Sequence, residues 1–323
     1  MIMSDNGMEF IKIIHAIKNS QNIVIAGHTS PDGDAIGASL ALSMALKKID
    51  KNVKVLFESY SEKYNIIPGK ETVIFDDFKG ITCDLFISAD CGDKQRLGNA
   101  STIFDKADVK VNIDHHASNT FFGEINLVRE DSSSTSEIMY DIIKNISDID
   151  DDIATALYTG LLFDTGGFRH SCTTSNTMAV ASELLKFNVP ATMLYDKLYY
   201  TRNFTGMKIL GKAIGKAQKI YDGRVIYTDI NLKDIEECGS SLNELDEIVN
   251  CLKSVEDTDL AIFFYEKAEN VYKVSLRSSD NFNSCKLASF FGGGGHIKAS
   301  GCTIEGNIEG IKKLVFEKIE EMI

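Results

Sequence analysis

Short apolar runs alternate with longer amphipathic stretches in the first half of the chain. Four runs, NIVIA at 22–26, VKVLF at 53–57, LFISA at 85–89 and VKVNI at 109–113, are rich in Val, Ile, Leu or Phe. That composition is typical of strands buried on both faces of a sheet. Residues 134–146 and 151–163 have the apolar spacing of amphipathic helices. The alternation predicts a parallel sheet covered by helices.

A second alternating region follows a helical stretch at 174–198, which a break at 188–190 interrupts. It predicts strands at 219–228, 260–265 and 271–277 and helices at 241–249 and 308–322. Since a domain takes roughly 150 residues, we predict a first domain at 1–190, a linker at 191–205 and a second domain at 206–323. The predicted fold class is α/β: an N-terminal Rossmann-like parallel sheet joined by the linker to a smaller mixed-sheet domain, with the active site in the cleft between them.

Composition and charge narrow the class of protein. The chain of 323 residues is 44% apolar and 25% charged with 3 prolines, as in ordinary globular proteins. Its N-terminal segment lacks the apolar core of a signal peptide or a membrane span, so we expect a cytoplasmic protein without a membrane partner. The seven cysteines include no CxxC pair, so neither a disulfide framework nor a zinc ribbon is indicated. A net charge of −13 argues against binding long duplex nucleic acid, whereas a short anionic substrate stays compatible.

Polar residues gather just beyond the carboxyl ends of three predicted strands. GHTSPDGD follows the first strand, DCGD the third and DHH the fourth. In open parallel sheets, ligands bind at that edge. The first segment presents His28, Asp32 and Asp34, whose imidazole and carboxylate groups suit Mn²⁺ or a similar divalent ion. The alternative is an ordinary turn at Pro31-Asp32-Gly33, with Asp32 capping the next helix.

The other two segments each leave two interpretations open. Asp90 fits either a helix cap or a carboxylate that bridges two ions. Asp114, His115 and His116 directly follow an apolar run, and burying them is costly unless they bind an ion or pair with each other. Because adjacent residues in an extended segment point in opposite directions, we expect only one of the two histidines to bind a given ion.

Asp164 ends an apolar helical stretch, and taken alone it fits a loop residue as well as a metal ligand. It reaches the same sheet edge only if its helix packs on the sheet. His15 lies on an amphipathic helix and fits a scaffold role. The remaining histidines lie in polar segments flanked by glycine: His28, His115, His116, His170 and His296.

The glycine run at 292–295, followed by His296, presents backbone N–H groups without side chains. Such a run can form a nest for a phosphate or let a base lie against the backbone, and a flexible loop is the alternative. Arg277 can bind a terminal phosphate through its guanidinium fork. A solvated arginine at a strand end is the alternative for Arg277.

The ordered motifs GHTSPDGD, SADCGD, NIDHH, LLFDTGGFRH and SFFGGGGHIKASG span residues 27–301. This set resembles the DHH phosphoesterases that carry the DHH-associated C-terminal domain. Among them, the chain length and the GGGGH segment look most like the stand-alone NrnA type, which acts on short oligoribonucleotides and on 3′-phosphoadenosine 5′-phosphate (pAp). Where the family usually has AAG, this chain has Ala299-Ser300-Gly301, a mild departure.

The resemblance implies two Mn²⁺ ions per subunit, with Mg²⁺ or Co²⁺ as substitutes. The first ion would be held by His28, Asp32 and Asp90, and the second by Asp34, Asp90, His115 and Asp164. His116 would contact the scissile phosphate or act as an acid, and Asp114 would orient the neighbouring histidines. The substrate end would be bound by Arg277, Gly293, Gly294, Gly295 and His296. Arg96 and His170 match family positions, with a supporting structural role as the alternative.

The implied activities are those of a phosphodiesterase or exoribonuclease and a 3′(2′),5′-bisphosphate nucleotidase. Short RNA, dinucleotides such as pApA or pGpG, and pAp are the expected substrates, and a homodimer is left open. A soluble cyclic di-AMP phosphodiesterase would use the same motifs and stays an alternative. A family II pyrophosphatase lacks GGGGH, and the complete ligand set opposes a non-catalytic nucleotide-binding protein.

Overall fold

A computed structural model describes residues 5–323, so the first four residues of the N-terminal segment lie outside the described part. The chain divides into two compact units, Met1–Thr201 and Arg202–Ile323. The linker bounds at 191 and 205 stay predictions. From residue 5 onward, no helix combines the length and apolar character needed to cross a membrane.

The first unit alternates strands and helices. In chain order it contains α1 (Asp5–Asn19), β1 (Asn22–Ala26), α2 (Gly33–Lys48), β2 (Asn52–Phe57), β3 (Val73–Phe75), β4 (Leu85–Ala89), α3 (Ser101–Phe104), β5 (Val109–Asp114), β6 (Ile125–Val128), α4 (Thr135–Lys144), α5 (Asp151–Asp164), α6 (Ser175–Leu184) and α7 (Ala191–Tyr195). Short 3₁₀ helices occupy Glu62–Ile66, Lys70–Thr72 and Lys94–Ala100, and a π-helix occupies Asp196–Tyr200.

The sheet of this unit has six strands in the order β3-β2-β1-β4-β5-β6. Every neighbouring pair is parallel, which confirms the predicted parallel sheet. This order is that of doubly wound sheets, in which ligands bind where the strand order reverses, here between β1 and β4. The four predicted strands agree with the structure to within one residue, whereas β3 and β6 are short, incompletely buried and were not predicted.

Apolar side chains cover both faces of the sheet. One face packs against helices through residues such as Ile36, Leu40 and Leu161, and the other carries Phe86 and its neighbours. Helices α2 and α5 touch through their backbones, because a Cβ on Gly37 would lie only 2.5 Å from the carbonyl oxygen of Ala156. This close packing carries the end of α5, and with it Asp164, to the carboxyl edge of the sheet.

The second unit is built around a mixed sheet. Its elements are α8 (Phe204–Gly215), β7 (Gln218–Ile220), β8 (Val225–Ile230), α9 (Leu232–Cys238), α10 (Asp246–Lys253), β9 (Leu260–Ala268), β10 (Val271–Ser278), α11 (Ser284–Phe290), β11 (Gly294–His296), β12 (Ala299–Glu305) and α12 (Ile308–Glu320). The strand order is β11-β12-β10-β9-β8-β7. Only the β8–β9 pair is parallel among the described strands of this sheet. The predicted mixed α/β arrangement is confirmed.

Two predicted elements of this unit are wrong in detail. The single strand expected at 219–228 is a hairpin of β7 and β8, because Tyr221, Asp222 and Gly223 adopt positive φ and reverse the chain. The helix expected at 241–249 is divided into a 3₁₀ turn at Leu242–Glu244 and the later helix α10. Helices α8, α9 and α10 cover one face of the sheet, and α11 and α12 cover the other.

Candidate metal centre

The turn after β1 brings His28 and Asp32 together. Asp32 is the N-cap of α2, and its Oδ1 accepts hydrogen bonds from the backbone N–H groups of Asp34 at 3.0 Å and Ala35 at 3.1 Å. Its Oδ2 lies 3.9 Å from Nε2 of His28. Asp32 therefore caps the helix with one oxygen, as the turn interpretation predicts, and presents the other oxygen to His28. Metal binding by Asp32 stays a prediction.

Asp90 lies at the centre of the cluster. It follows β4 with φ of 57°, a left-handed conformation that is strained for a residue other than glycine. Its carboxylate is almost fully buried, with Oδ2 3.8 Å from Nε2 of His28 and Oδ1 3.6 Å from Nε2 of His115. One carboxylate thus faces both histidines.

Helix α4 contributes contacts that were not predicted from the sequence. The backbone N–H groups of Thr135 and Ser136 donate to the two carboxylate oxygens of Asp34 at 2.6 and 2.9 Å. The hydroxyl of Thr135 donates to Oδ1 of Asp90 at 3.0 Å. The N-terminus of a helix favours negative charge, so α4 stabilises both carboxylates in place. The signal in the sequence was the Ser134-x-x-Glu137 pattern of a helix start.

His115 and Asp164 form the other side of the cluster, with Nε2 of His115 3.0 Å from Oδ2 of Asp164. Nδ1 of His115 lies 3.4 Å from the carbonyl oxygen of Ser132. The rings of His115 and His116 lie side by side with centroids 4.5 Å apart. The expectation that they point in opposite directions is wrong, because β5 ends at Asp114 and the alternation of an extended strand ends there too.

Asp114 pairs with His116, whose Nδ1 lies 2.7 Å from Oδ1 of the carboxylate. Asn119, which was not predicted from the sequence, donates through Nδ2 to Oδ2 of Asp114 at 2.5 Å and to Oδ1 of Asn112 at 2.8 Å. Burial alone would raise the pKa of Asp114, but hydrogen bonds from His116 and Asn119 hold it below its usual value. The carboxylate is thus kept charged and oriented toward His116, and the only signal for Asn119 was its place in the polar segment after DHH.

The side chains fit a centre for divalent cations. Three groups bring possible ligand atoms within 4.8 Å of one another: His28, Asp32 and Asp90; Asp34, His115 and Asp164; and Asp90, His115 and His116. Nδ1 of His28 is buried without a hydrogen-bond partner, which is uncommon for buried polar atoms, and Nε2 of His115 is buried facing the Asp164 carboxylate at 3.0 Å. The donors are imidazole nitrogens and carboxylate oxygens without thiolates, a set suited to Mn²⁺ and related ions.

The electrostatics of the cluster favour a bound cation. Burial raises the pKa of Asp34 to about 7, and the nearby Asp164 carboxylate adds to the increase. The pKa of Asp90 is also raised well above its usual value, first by burial and then by the other carboxylates. Burial opposes the charged form of His115, but Asp164, Asp34 and Asp90 together raise its pKa to about 10. A divalent cation would offset this crowding of negative charge.

The peripheral residues of the first unit have structural contacts. His170 is exposed, and its Nδ1 lies 3.0 Å from the carbonyl oxygen of Asp164. The side chain of Arg96 is exposed, whereas its carbonyl oxygen accepts a hydrogen bond from Thr29 at 2.8 Å. Contacts of His170 and Arg96 with substrate stay predictions. His15 on α1 contacts Asn19 at 2.9 Å, apart from the cluster.

The glycine run in the second unit is partly built into the sheet. Gly294, Gly295 and His296 form β11, which pairs antiparallel with β12. Gly295 has φ of 137°, and a Cβ there would lie 2.6 Å from the carbonyl oxygen of Ala299. Pairing with β12 therefore replaces the flexible loop considered for Gly294 and Gly295. Arg277 on β10 lines a cavity of about 770 Å³ together with the run 292–295, and His296 is exposed.

A doubly wound sheet with a histidine–aspartate centre at its switch point defines an α/β protein with a candidate metal site. Residues 22–161 match the DHH family, N-terminal domain, and residues 222–321 match the DHHA1 domain. The chain therefore carries a DHH domain followed by a DHHA1 domain. The resemblance inferred from the ordered motifs is confirmed.

Named relatives match nearly the whole chain. It is 28% identical over 313 residues to the bifunctional oligoribonuclease and PAP phosphatase NrnA of Thermus thermophilus, covering 93% of this chain and 89% of that protein. It is 29% identical over 318 residues to the protein of the same name from Mycoplasma genitalium, covering 96% of each. The crystal structure of an exopolyphosphatase-related protein from Bacteroides fragilis matches with a TM-score of 0.88 and 27% identity, covering 96% of this chain and 95% of that one.

Proposed function

We propose that this chain is a metal-dependent phosphoesterase that hydrolyses short oligoribonucleotides to mononucleotides and pAp to AMP and phosphate. The observation that carries the proposal is the convergence of histidines and aspartates from separate segments at the switch point of the sheet. The activities in the names of the relatives support this substrate class. The seven free cysteines fit the reducing cytoplasm, where we place the activity.

The two groups that share no ligand suggest how two cations would be held. His28, Asp32 and Asp90 would bind one ion, and Asp34, His115 and Asp164 would bind the other, with Asp90 bridging. Mn²⁺ is the proposed ion, with Mg²⁺ and Co²⁺ as substitutes. Such a pair, when bound, supplies a water of lowered pKa and offsets charge on the phosphate.

His116 is the proposed proton donor to the leaving oxygen. Its Nδ1 faces the charged Asp114 carboxylate, which leaves Nε2 free to face substrate. The His116 side chain is 38% exposed, compared with 16% for His115. This difference in exposure supports the proposal that His116 contacts substrate and His115 binds metal, since a general acid must reach the atom that it protonates.

We further propose that the second unit binds the end of the substrate. Arg277 and the glycines at 293–295 line one cavity, in which a guanidinium and backbone groups can contact a phosphate. His296 is the proposed additional contact on β11. Cavity size and a single guanidinium favour a short substrate end over a long strand, which needs a continuous basic groove.

A substrate panel with metal substitution tests the proposal. The purified chain is assayed on pApA, a five-nucleotide RNA, pAp, cyclic di-AMP and pyrophosphate, each with Mn²⁺, Mg²⁺ or Co²⁺. We expect hydrolysis of the first three substrates, fastest with Mn²⁺, with loss of activity in a chelator and recovery when Mn²⁺ is restored. Activity confined to cyclic di-AMP or to pyrophosphate would contradict the proposed substrate class.

A further inference from the structure

The cavity on the second unit has a polar floor and an asymmetric rim. Its floor is β10, where Lys273, Ser275 and Arg277 alternate onto one face. Helix α10 forms one side and contributes Asn250, and the glycine run at 292–295 forms another. The volume of about 770 Å³ exceeds what a single phosphate group needs and matches a nucleotide-sized ligand.

The guanidinium of Arg277 is held by two neutral oxygens. Its Nε donates to Oδ1 of Asn250 at 3.0 Å, and its Nη1 donates to the carbonyl oxygen of Leu276 at 3.0 Å. These contacts define the plane of the group and leave Nη2 for a ligand. Because neither hydrogen-bond partner is charged, these two contacts do not neutralise the positive charge of Arg277. The group is also only partly exposed, which strengthens its interaction with an anion.

The residue type at position 250 has a direct electrostatic consequence. An asparagine accepts the Nε hydrogen bond without bringing a negative charge to the guanidinium, whereas an aspartate there would form an ion pair and offset it. Two acidic residues of the same helix line the cavity: Asp246, whose charge acts on Arg277 without a hydrogen bond to it, and Glu247, which is paired with Arg202 at 2.7 Å. Asn250 is itself exposed, so its replacement should leave the core of the unit intact.

We infer that Asn250 is a positioning residue that orients Arg277 as a fork for a terminal phosphate. In this role it sets the preference of the chain for substrates that carry a terminal phosphate monoester over those that lack one. The inference rests on the proposed function, because it takes the cavity to be the site of the substrate end. It adds to that function the residue through which phosphate selectivity arises.

The experiment compares hydrolysis of pApA with that of ApA, which lacks the terminal phosphate, in the presence of Mn²⁺. Asn250→Ala should raise the KM for pApA about tenfold, because the guanidinium of Arg277 loses the hydrogen bond that orients it toward the phosphate. The KM for ApA should stay within about twofold. Asn250→Asp should raise the KM for pApA further. The double variant N250A/R277A should be no worse than R277A alone, since Asn250 acts through Arg277. Asn243→Ala, another exposed asparagine of this unit, is the matched control.

The possible outcomes separate the inference from the proposed function. If R277A raises the KM for pApA and N250A does not, the role of Asn250 is refuted and the proposed function stands. An equal rise for ApA and pApA in N250A would also refute it, because the effect would not depend on the phosphate. If the wild type hydrolyses neither dinucleotide, the proposed function fails, and equilibrium binding of 5′-AMP against adenosine then tests the same variants. A tenfold loss of affinity for 5′-AMP in N250A, with the affinity for adenosine unchanged, supports the inference. An unchanged affinity for 5′-AMP refutes it.

Discussion

The candidate metal centre and the Arg277 cavity position their functional groups in different ways. In the first unit, Asp34 and Asp90 are 0% and 1% exposed, and backbone and hydroxyl donors hold their carboxylates. In the second unit, the glycines at 292–295 act through the absence of side chains beside a partly exposed arginine. Metal binding in the first region should therefore be sensitive to substitutions that change charge. The second region should be sensitive to substitutions that add a side chain next to the backbone.

The largest effect should come from Asp90→Asn, which keeps the size and the left-handed conformation of the residue but removes its charge. We expect kcat/KM with Mn²⁺ to fall by about 10³-fold or more, because charge stabilisation by the cations is worth several kcal/mol. The increase in melting temperature that Mn²⁺ gives the wild type should also be lost.

Asp105→Ala is the matched control for this variant, since Asp105 is exposed and its carboxylate, among residues 5–323, pairs with Lys94 alone at the surface. Its activity should stay within about twofold of the wild type, as for most surface substitutions. Retention of both activity and Mn²⁺-dependent stabilisation in Asp90→Asn would show that Asp90 is not part of a metal centre.

Gly160→Ala tests whether the first region also depends on space around its charges. A Cβ at this position would lie 2.5 Å from Oδ1 of Asp34 and still closer to the Ser136 hydroxyl. We expect a loss of about 3 kcal/mol in the free energy of unfolding, at the upper end for overpacking, together with weaker Mn²⁺ binding by calorimetry. Gly211→Ala on α8, where a Cβ meets nothing within 4 Å, should instead stabilise by about 0.5–1 kcal/mol. Equal stability changes in the two variants would contradict the packing around Asp34.

Asn119→Ala should separate the orientation of Asp114 and His116 from metal binding in the first region. Asn119 contacts Asp114 and not the proposed ligands, so kcat should fall about 10- to 100-fold, as for supporting residues of metal sites. The affinity for Mn²⁺, measured by calorimetry, should stay unchanged. The exposed Asn145 provides the control variant Asn145→Ala. A parallel fall in Mn²⁺ affinity would mean that Asn119 supports the ligands as well.

The smallest effect should distinguish two neighbouring glycines in the second region. Gly295→Ala should lower the free energy of unfolding by about 1–2 kcal/mol, because the alanine meets Ala299 and the backbone has positive φ. Gly294→Ala should change it by less than about 0.5 kcal/mol, since its Cβ would meet nothing within 4 Å. Denaturant unfolding of both variants is the measurement, and equal losses would argue that the run does not form β11.

The sequence was most informative where a strand is buried on both faces. β1, β4 and β5 were predicted closely because most of their residues are apolar and favour a buried strand. The polar residues after them could then be placed at one edge of the sheet. The β7–β8 turn was missed although Asp222-Gly223 is a typical turn pair. The reach of α4 to Asp34 could not be predicted, because periodicity describes neighbours along one element and the contact joins residues 101 positions apart.

That separation has a consequence for how the protein is made. Asp34 lies near the start of the chain, yet its backbone donors arrive with α4 and its nearby carboxylate with the end of α5. The chain must therefore leave the ribosome to well past residue 164 before all the proposed ligands can meet. Cations would then bind to a nearly complete first unit and would stabilise it late in folding, after the local strand–helix contacts have formed.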